Sequence, residues 1–403
     1  MSLFISLRTR PFALLWTGQT ISRLGDSLYR IALAWWVLEK TGSATAMSTV
    51  LVVSSLPMVL FLLVGGVVVD RLPRFRVLFA SDMLNGVVVA VVAILAGTGR
   101  LEIWQVYIAG AAFGLAEAFF YPAYSASIPQ IVPPESLPSA NSLTGLSYQI
   151  TGIVGPAVGA ALVALGGTPA AFGLDSLSFF ISAAFLAPLI RIALPRTSAQ
   201  AASGPLRDLR EGLAEVVARS WLWLSIAFFG LVNVFDAGPR NVALPFLVHD
   251  HLGLEVGALG AVTSAIAVGS VVAAIFLGRY HRLRRRGLLL YASEIVMGLM
   301  LVLFGLMPSL PGLMTAAFIF GLGISTGGLV WTNTLQEMVP QEKLGRVVSI
   351  DALGSFVFLP VGFAFAGILA DRIGPANVFL LGGSLVALLA GAMLFVPSIR
   401  RLD

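Results

Sequence analysis

Gln19-Thr-Ile-Ser-Arg23-Leu-Gly-Asp26-Ser-Leu-Tyr-Arg30 lies in the middle of the first long apolar segment of the chain. Gln19, Arg23, Asp26 and Arg30 are spaced 4, 3 and 4 apart, which makes one polar stripe on an α-helix. Three formal charges within an apolar span are expensive, so they must face protein, water or a ligand. The pattern returns 210 residues later as Asn233, Asp236 and Arg240, with the same Asp-x3-Arg spacing. A charged stripe that occurs once in each half points to a pathway through the centre.

Outward from that stripe the chain is apolar throughout. Of its 403 residues 58% are hydrophobic and 11% charged, against about 25% charged in a soluble domain. Segments of roughly 20 apolar residues fall at 12–38, 44–69, 76–97, 103–129, 139–166, 169–192, 221–248, 256–278, 288–307, 312–338, 346–370 and 376–396. The expected fold is an all-α membrane protein of twelve transmembrane helices. It divides into a first six-helix half (1–192), a linker (193–220) and a second six-helix half (221–403). The linker carries Leu206-Arg-Asp-Leu-Arg-Glu-Gly-Leu-Ala-Glu-Val-Val, whose apolar residues recur at helical spacing. An amphipathic helix on the membrane surface is expected there. The first apolar run has no small-residue cleavage site and reads as a retained helix.

Basic residues set the orientation. With the N-terminus cytoplasmic, 19 of the 25 lie on that side, and Lys40, Arg100 and Arg372 on the other. Arg23, Arg30 and Arg240 stay inside helices. Both termini are therefore expected in the cytoplasm, and the basic excess needs no nucleic acid.

The halves are similar to one another. Beside the Asp-x3-Arg pair, Ser81-Asp82-x3-Gly86 matches Ser293-Glu294-x3-Gly298, and Val132-Pro133-x-Glu135-x-Leu137 matches Val339-Pro340-x-Glu342-x-Leu344. Such halves are the sequence mark of a transporter built from repeats. Enzyme readings fail: the chain has no cysteine, no phosphate loop of the GKS/T type, too few histidines for a metal site and no nucleophile–base set. No cofactor is expected.

After the second segment come Gly66-x3-Asp70-Arg71-x2-Arg74. Together with twelve segments and a long central loop, this resembles the major facilitator superfamily. Gly18-Gln19, Leu24-Gly25-Asp26, Ala34-Trp35-Trp36 and the loop Pro133-x-Glu135-x-Leu137-x-x-Ala140-Asn141-Ser142 resemble its exporter branch, which contains macrolide efflux and enterobactin export proteins. The resemblance covers essentially the whole chain. It implies that Gly66, Asp70, Arg71 and Arg74 form a cytoplasmic latch, with Asp70 at the start of the eleventh helix. Pro73 stands where the family usually has glycine. A copy, Gly367-x3-Asp371-Arg372, ends the eleventh segment on the opposite face, whereas the copy after the eighth, Gly278-Arg279, lacks the carboxylate. In the fifth segment Gly152, Gly155, Pro156 and Gly159 resemble the antiporter motif of the family's drug exporters, with Ala160 in place of the last glycine. Small residues four apart also serve plain helix packing.

The candidate proton-coupling carboxylates are Glu117, Asp26 and Asp236. Asp26 has arginines at i−3 and i+4, which favour its charged form. Glu117 has no basic partner on its helix and lies among Phe113, Phe119, Phe120 and Tyr121. A carboxyl in apolar surroundings is suited to exchange protons near neutral pH, so Glu117 ranks first, unless it pairs across helices with Arg23 or Arg30. Substrate-cavity candidates are Gln19, Arg23, Arg30, Tyr121, Tyr124, Tyr148, Asn233, Arg240, Trp331 and Phe358. Asp175, with Ser176 and Ser178, reads as polar glue between helices. Asp82, Glu294 and Asp351 read as partners of loop arginines. The expected activity is proton-coupled efflux, by a monomer in the bacterial inner membrane, of an amphipathic small molecule such as a drug, macrolide or siderophore. A metabolite symporter, a lysophospholipid flippase and a non-transporting membrane sensor are the other readings. The expected partners are the substrate, protons and the lipid bilayer.

Overall fold

The computed structural model describes residues 4–192, 205–279 and 284–402, and for 62–71, 205–209 and 341 the backbone alone. All regular structure among the described residues is helical, as a lipid core that offers no hydrogen-bond partner requires. The chain folds as two compact units, Met1–Gly42 with Thr49–Ser198 and Ser43–Ser48 with Ala199–Asp403.

In the first unit the helices are α1 (Arg10–Thr41), α2 (Ala44–Arg71), α3 (Arg74–Gly97), α4 (Ile103–Ile131) and α5 (Leu137–Leu186). α1 has 32 residues and ends at Gly42, whose left-handed backbone (φ 60°) lets its N–H reach the Leu38 carbonyl. The expected segments 139–166 and 169–192 are the two limbs of α5. They turn at Gly167 (φ 70°, ψ 173°), with Pro169 just beyond. α1 runs between these limbs and touches both at backbone distance. A methyl group at Gly155 of the first limb would lie 2.3 Å from the Ser27 Cβ, and one at Gly159 3.1 Å from the Leu28 Cα. On its other side, a methyl group at Gly18 would meet Phe185 and Ser182, and one at Gly25 would meet Ser178 and Asp175 of the second limb. α2 and α4 meet equally closely: a methyl group at Gly114 would lie 1.8 Å from the Ser54 carbonyl oxygen.

The second unit holds α6 (Pro205–Val217), α7 (Ser220–Gly238), α8 (Val256–Leu277), α9 (Arg286–Leu306), α10 (Leu310–Met338), α11 (Gln341–Phe356), α12 (Leu359–Ile373) and α13 (Pro375–Met393). The packing of the first unit recurs here. Methyl groups at Gly230 and Gly238 of α7 would fall 2.6 and 2.5 Å from the carbonyl oxygens of Gly354 and Gly362. Past Gly238 the helix continues through wide π turns at Pro239–Ala243 and Leu247–His251. Pro239 lacks the N–H that would bind the Phe235 carbonyl. That carbonyl faces Gly382 of α13, where a methyl group would stand 2.5 Å away. The expected segment 346–370 is broken into α11 and α12 at Val357 and Phe358, next to Pro360.

Ten helical spans among the described residues are long and apolar enough to cross a membrane. One of them, Pro134–Arg191, contains both limbs of α5, and the charged α1 is a further helix of spanning length. These are in keeping with twelve crossings.

The linker helix differs from its sequence reading. α6 docks on protein. Glu211 pairs with Arg346 (2.5 Å) and Glu215 with Lys343 (2.6 Å) and Arg219 (2.7 Å). Val216 is buried in the apolar cluster of Trp221, Trp331 and Val347, while Leu213 and Val217 remain exposed. Periodicity reveals an apolar face but not whether lipid or protein covers it.

Candidate functional site

The first unit encloses a cavity of about 430 Å³ lined by residues of α1 to α5. α1 contributes Gln19, Arg23, Asp26, Tyr29 and Arg30; α3 contributes Asp82 and Asn85; α4 contributes Phe113, Glu117, Phe120, Tyr121 and Tyr124; α5 contributes Tyr148 and Gly152. The stripe of α1 therefore forms one wall, with Glu117 and the three expected tyrosines around it.

Each polar group is held differently. Arg23 lies face-on against aromatic rings, its guanidinium carbon 3.8 Å from the Tyr148 centroid and 4.8 Å from that of Tyr124. Cation–π contacts of this kind contribute about 0.5–2 kcal/mol each, more when desolvated. Its Nη1 is buried with no hydrogen-bond partner among the described residues. Arg30 donates Nη2 to Ser27 Oγ at 3.0 Å and is otherwise exposed. The two arginines act on Asp26 and on Glu117 through space. Among the described residues no ion-pair contact ties either carboxylate to them. The cross-helix pairing weighed for Glu117 is thus absent among the described contacts.

Asp82 departs from its sequence reading. It sits about two turns into α3, almost fully buried, and accepts from Gln19 Nε2 at 3.1 Å. The same amide nitrogen donates to Ser182 Oγ at 2.9 Å. Asp82 is thus part of the cavity wall and not a partner of loop arginines. The recurrence of Ser81-Asp82 as Ser293-Glu294 was the available signal.

In the second unit the same spacing gives a closed pair. Arg240 donates Nε to Asp236 Oδ1 at 2.7 Å and Nη2 to Oδ2 at 2.8 Å, and its guanidinium carbon lies 5.3 Å from the Phe320 ring centre. The sequence supplies the reason. Position 237, equivalent to Ser27, is alanine, so no hydroxyl draws the arginine away from the aspartate. Asn233 Nδ2 donates to the Ser355 carbonyl at 2.9 Å. Trp331 is buried among Trp221 and Phe229, and its indole N–H donates to Asp351 Oδ2 at 3.0 Å. Phe358 is about half exposed at the α11–α12 break and rests beside Gly230. Glu294 is buried, its Oε1 3.3 Å from where a methyl group at Gly327 would stand. Neither Glu294 nor Asp351 meets a loop arginine among the described contacts.

Of the latch residues, the side chains of Gly66, Asp70 and Arg71 lie outside the described residues. Arg74 donates Nη1 to the Ala126 carbonyl near the end of α4 at 2.9 Å. The copy at the end of α12 is engaged. Asp371 accepts from Ser43 Oγ (2.8 Å), Ala44 N (2.7 Å) and Thr45 N (3.0 Å), so it caps the first turn of α2. Arg372 is exposed. In the antiporter-like stretch Gly152 lines the cavity, while Gly155 and Gly159 make the close contact with α1. Pro156 is buried beside them.

The profile of the Major Facilitator Superfamily matches residues 15–358 and 228–402. The chain belongs to this superfamily. Macrolide efflux protein A of Streptococcus pyogenes is 28% identical over 400 residues, covering 97% of each chain. The enterobactin exporter EntS of Shigella boydii is 26% identical over 398 residues, covering 98% of this chain and 94% of that one. A bacterial homologue of the human lysosomal transporter Spinster superposes with a TM-score of 0.72 at 14% identity, covering 98% of both chains. The resemblance read from the motifs is borne out. This facilitator is a multi-pass membrane transporter of small molecules and not an enzyme.

Proposed function

We propose that the protein exports an amphipathic small molecule of the drug, macrolide or siderophore kind in exchange for protons. It works by alternating access of its two halves, 1–192 and 221–403 with the 193–220 linker, as a monomer in the bacterial inner membrane with both termini cytoplasmic. The observation that carries this reading is the cavity wall in which Asp26, Asp82 and Glu117 face Arg23 and Arg30 with no ion pair closed. With every group ionised that wall carries one net negative charge. A single proton cancels it. An amine-bearing amphipath and a proton then compete for the same charge, and differential affinity of this kind is what exchange requires. Glu117, exposed to the cavity, is the first coupling site and Asp26 the second. Asp236, closed by Arg240, follows. The aromatic walls suit the apolar body of such a cargo, as the family resemblance to efflux proteins also suggests.

The test is flux of a macrolide and of an anionic siderophore in proteoliposomes under an imposed pH gradient, for wild type and Glu117→Gln. A gradient that drives wild-type export, with the drive lost and binding kept in Glu117→Gln, supports the reading. Flux that ignores the gradient in both proteins refutes it. One observation favours a second reading: Arg30 is exposed and lines the cavity, which suits an anionic head group. Gradient-independent movement of a lysophospholipid would place the flippase ahead.

A further inference from the structure

Asp175 sits in the second limb of α5, behind α1 and outside the cavity. It is 0% exposed. Its Oδ1 lies where a methyl group at Gly25 would approach to 2.5 Å, so the carboxyl presses on the α1 backbone one residue from Asp26. Its Oδ2 is buried with no hydrogen-bond partner among the described residues. The neighbouring Ser178 hydroxyl donates to the Asp175 main-chain carbonyl at 2.8 Å and stands 3.5 Å from Oδ1.

Structural glue would look different. Ser176 in the same turn donates to the Gly86 carbonyl at 2.8 Å and Gln19 bridges Asp82 and Ser182; both are satisfied contacts between helices. Asp175 spans to no partner. A buried carboxyl with an idle oxygen costs free energy that packing alone would remove by substitution with an apolar residue. The ionisable groups that act on it come from α1: Asp26, Arg30 and Tyr29. Asp82 of α3 and Glu117 of α4 act on Asp26 instead. Asp26, Tyr29 and Arg30 all line the cavity, so Asp175 communicates with it through these residues of α1.

We infer that Asp175 is a further proton-binding group of the transport cycle, coupled by charge to Asp26 where it abuts the α1 backbone at Gly25. A proton held on the Asp175 carboxyl removes a negative charge beside Asp26, and its release restores that charge behind the cavity wall. Cargo never touches Asp175. It therefore sets the charge that the cargo meets without competing for space. The inference rests on the proton-coupled reading above.

Two measurements on the full-length protein in lipid test it. In pH-difference infrared spectra without any ligand, Asp175→Asn is expected to lack one carboxylic-acid C=O band of the wild type. Ser178→Ala, a mild change that leaves the carboxyl in place, is expected to shift that band. Spectra of both variants that superimpose on the wild type overturn the inference. In proteoliposomes with ethidium as cargo, Asp175→Asn is expected to lose gradient-driven flux at least tenfold while keeping gradient-free counterflow. Gradient drive within twofold of wild type assigns Asp175 to packing and overturns the inference. Loss of drive and counterflow together, with the infrared band unmoved in Ser178→Ala, does so too. Wild-type flux that ignores the gradient instead sinks the proton-coupled reading, and the infrared result then decides Asp175 by itself.

Discussion

Replacing Asp371 by asparagine should release the first turn of α2. The carboxylate holds three donors there, Ser43 Oγ, Ala44 N and Thr45 N, at 2.7–3.0 Å. Two of them are backbone N–H groups that a helix start leaves without partners. A carboxylate at that end also meets the positive pole of the helix, worth about 0.3–1 kcal/mol when exposed and up to ~2 when partly buried. Asparagine keeps the shape but offers one acceptor oxygen and no charge. Since Asp371 is exposed, the loss is about 1–2 kcal/mol, or roughly 5–30-fold in the ratio of docked to undocked turn. The protein contains no cysteine, so a single introduced thiol reports cleanly. Ser48 is 2% exposed, and its Oγ lies 2.2 Å from where a methyl group at Gly367 would stand. In a Ser48→Cys background, maleimide labelling should therefore track the undocked fraction. Asp371→Asn should raise the labelling rate roughly 5–30-fold, and Asp371→Ala somewhat more. A rate within twofold of the parent would refute the reasoning and leave the three hydrogen bonds without energetic weight.

Three further outcomes follow from other contacts. Gly155→Ala drives a methyl group to 2.3 Å from the Ser27 Cβ; overpacking of this kind costs about 1–3 kcal/mol, visible as a lower melting temperature. Gly145→Ala, which meets nothing within 4 Å, should leave it unchanged. Arg240→Ala strands the buried Asp236 and should cost about 3 kcal/mol, most of it recovered in the double variant with Asp236→Asn; equal melting of single and double variants would contradict the closed pair. On α6, the Lys343 ammonium, with help from Arg219, holds the Glu215 carboxyl below the usual carboxylate range. A lowered value means that the contribution is complete above the unfolded pKa of about 4.3 and fades as pH falls through the lower folded one. Amide hydrogen exchange of α6 should be flat from about pH 7 to 5 and rise below about pH 4, after correction for the intrinsic rate. Exchange that stays flat through that acid range would disprove it.

Much of this architecture is legible in the chain itself, because a lipid solvent leaves helices as the one open-chain solution and sets their length. The stripe Gln19–Arg30 faces a cavity as its charges demand, and the glycines of the fifth segment meet a neighbour as their spacing suggests. What the sequence hides is the state of each charge. Asp26/Arg30 and Asp236/Arg240 share one spacing, yet the first is open and the second closed, through Ser27 in one half and alanine in the other. Asp82 reads from the sequence as a partner of loop arginines because nearness to a loop in the chain says nothing about which neighbour a helix turns toward. Gln19, on another helix 63 positions away, settles that. The facing of α6 is hidden for the same reason: partners distant in sequence choose between lipid and protein.

The cavity has one stiff wall and one compliant wall. α1 is clasped by both limbs of α5 at glycines that leave no room for sliding, and no proline interrupts it beyond its first turn. The opposite wall is built from α2 and α4, which carry Pro57 and Pro122 in mid-helix. Each proline removes one rung of the hydrogen-bond ladder and gives its helix a point at which to bend. Asp26 is thereby mounted on a frame, and Glu117 on a spring. A bend at Pro122 would shift Glu117 against Asp26, so the distance between these two carboxyls is the gauge of any such opening.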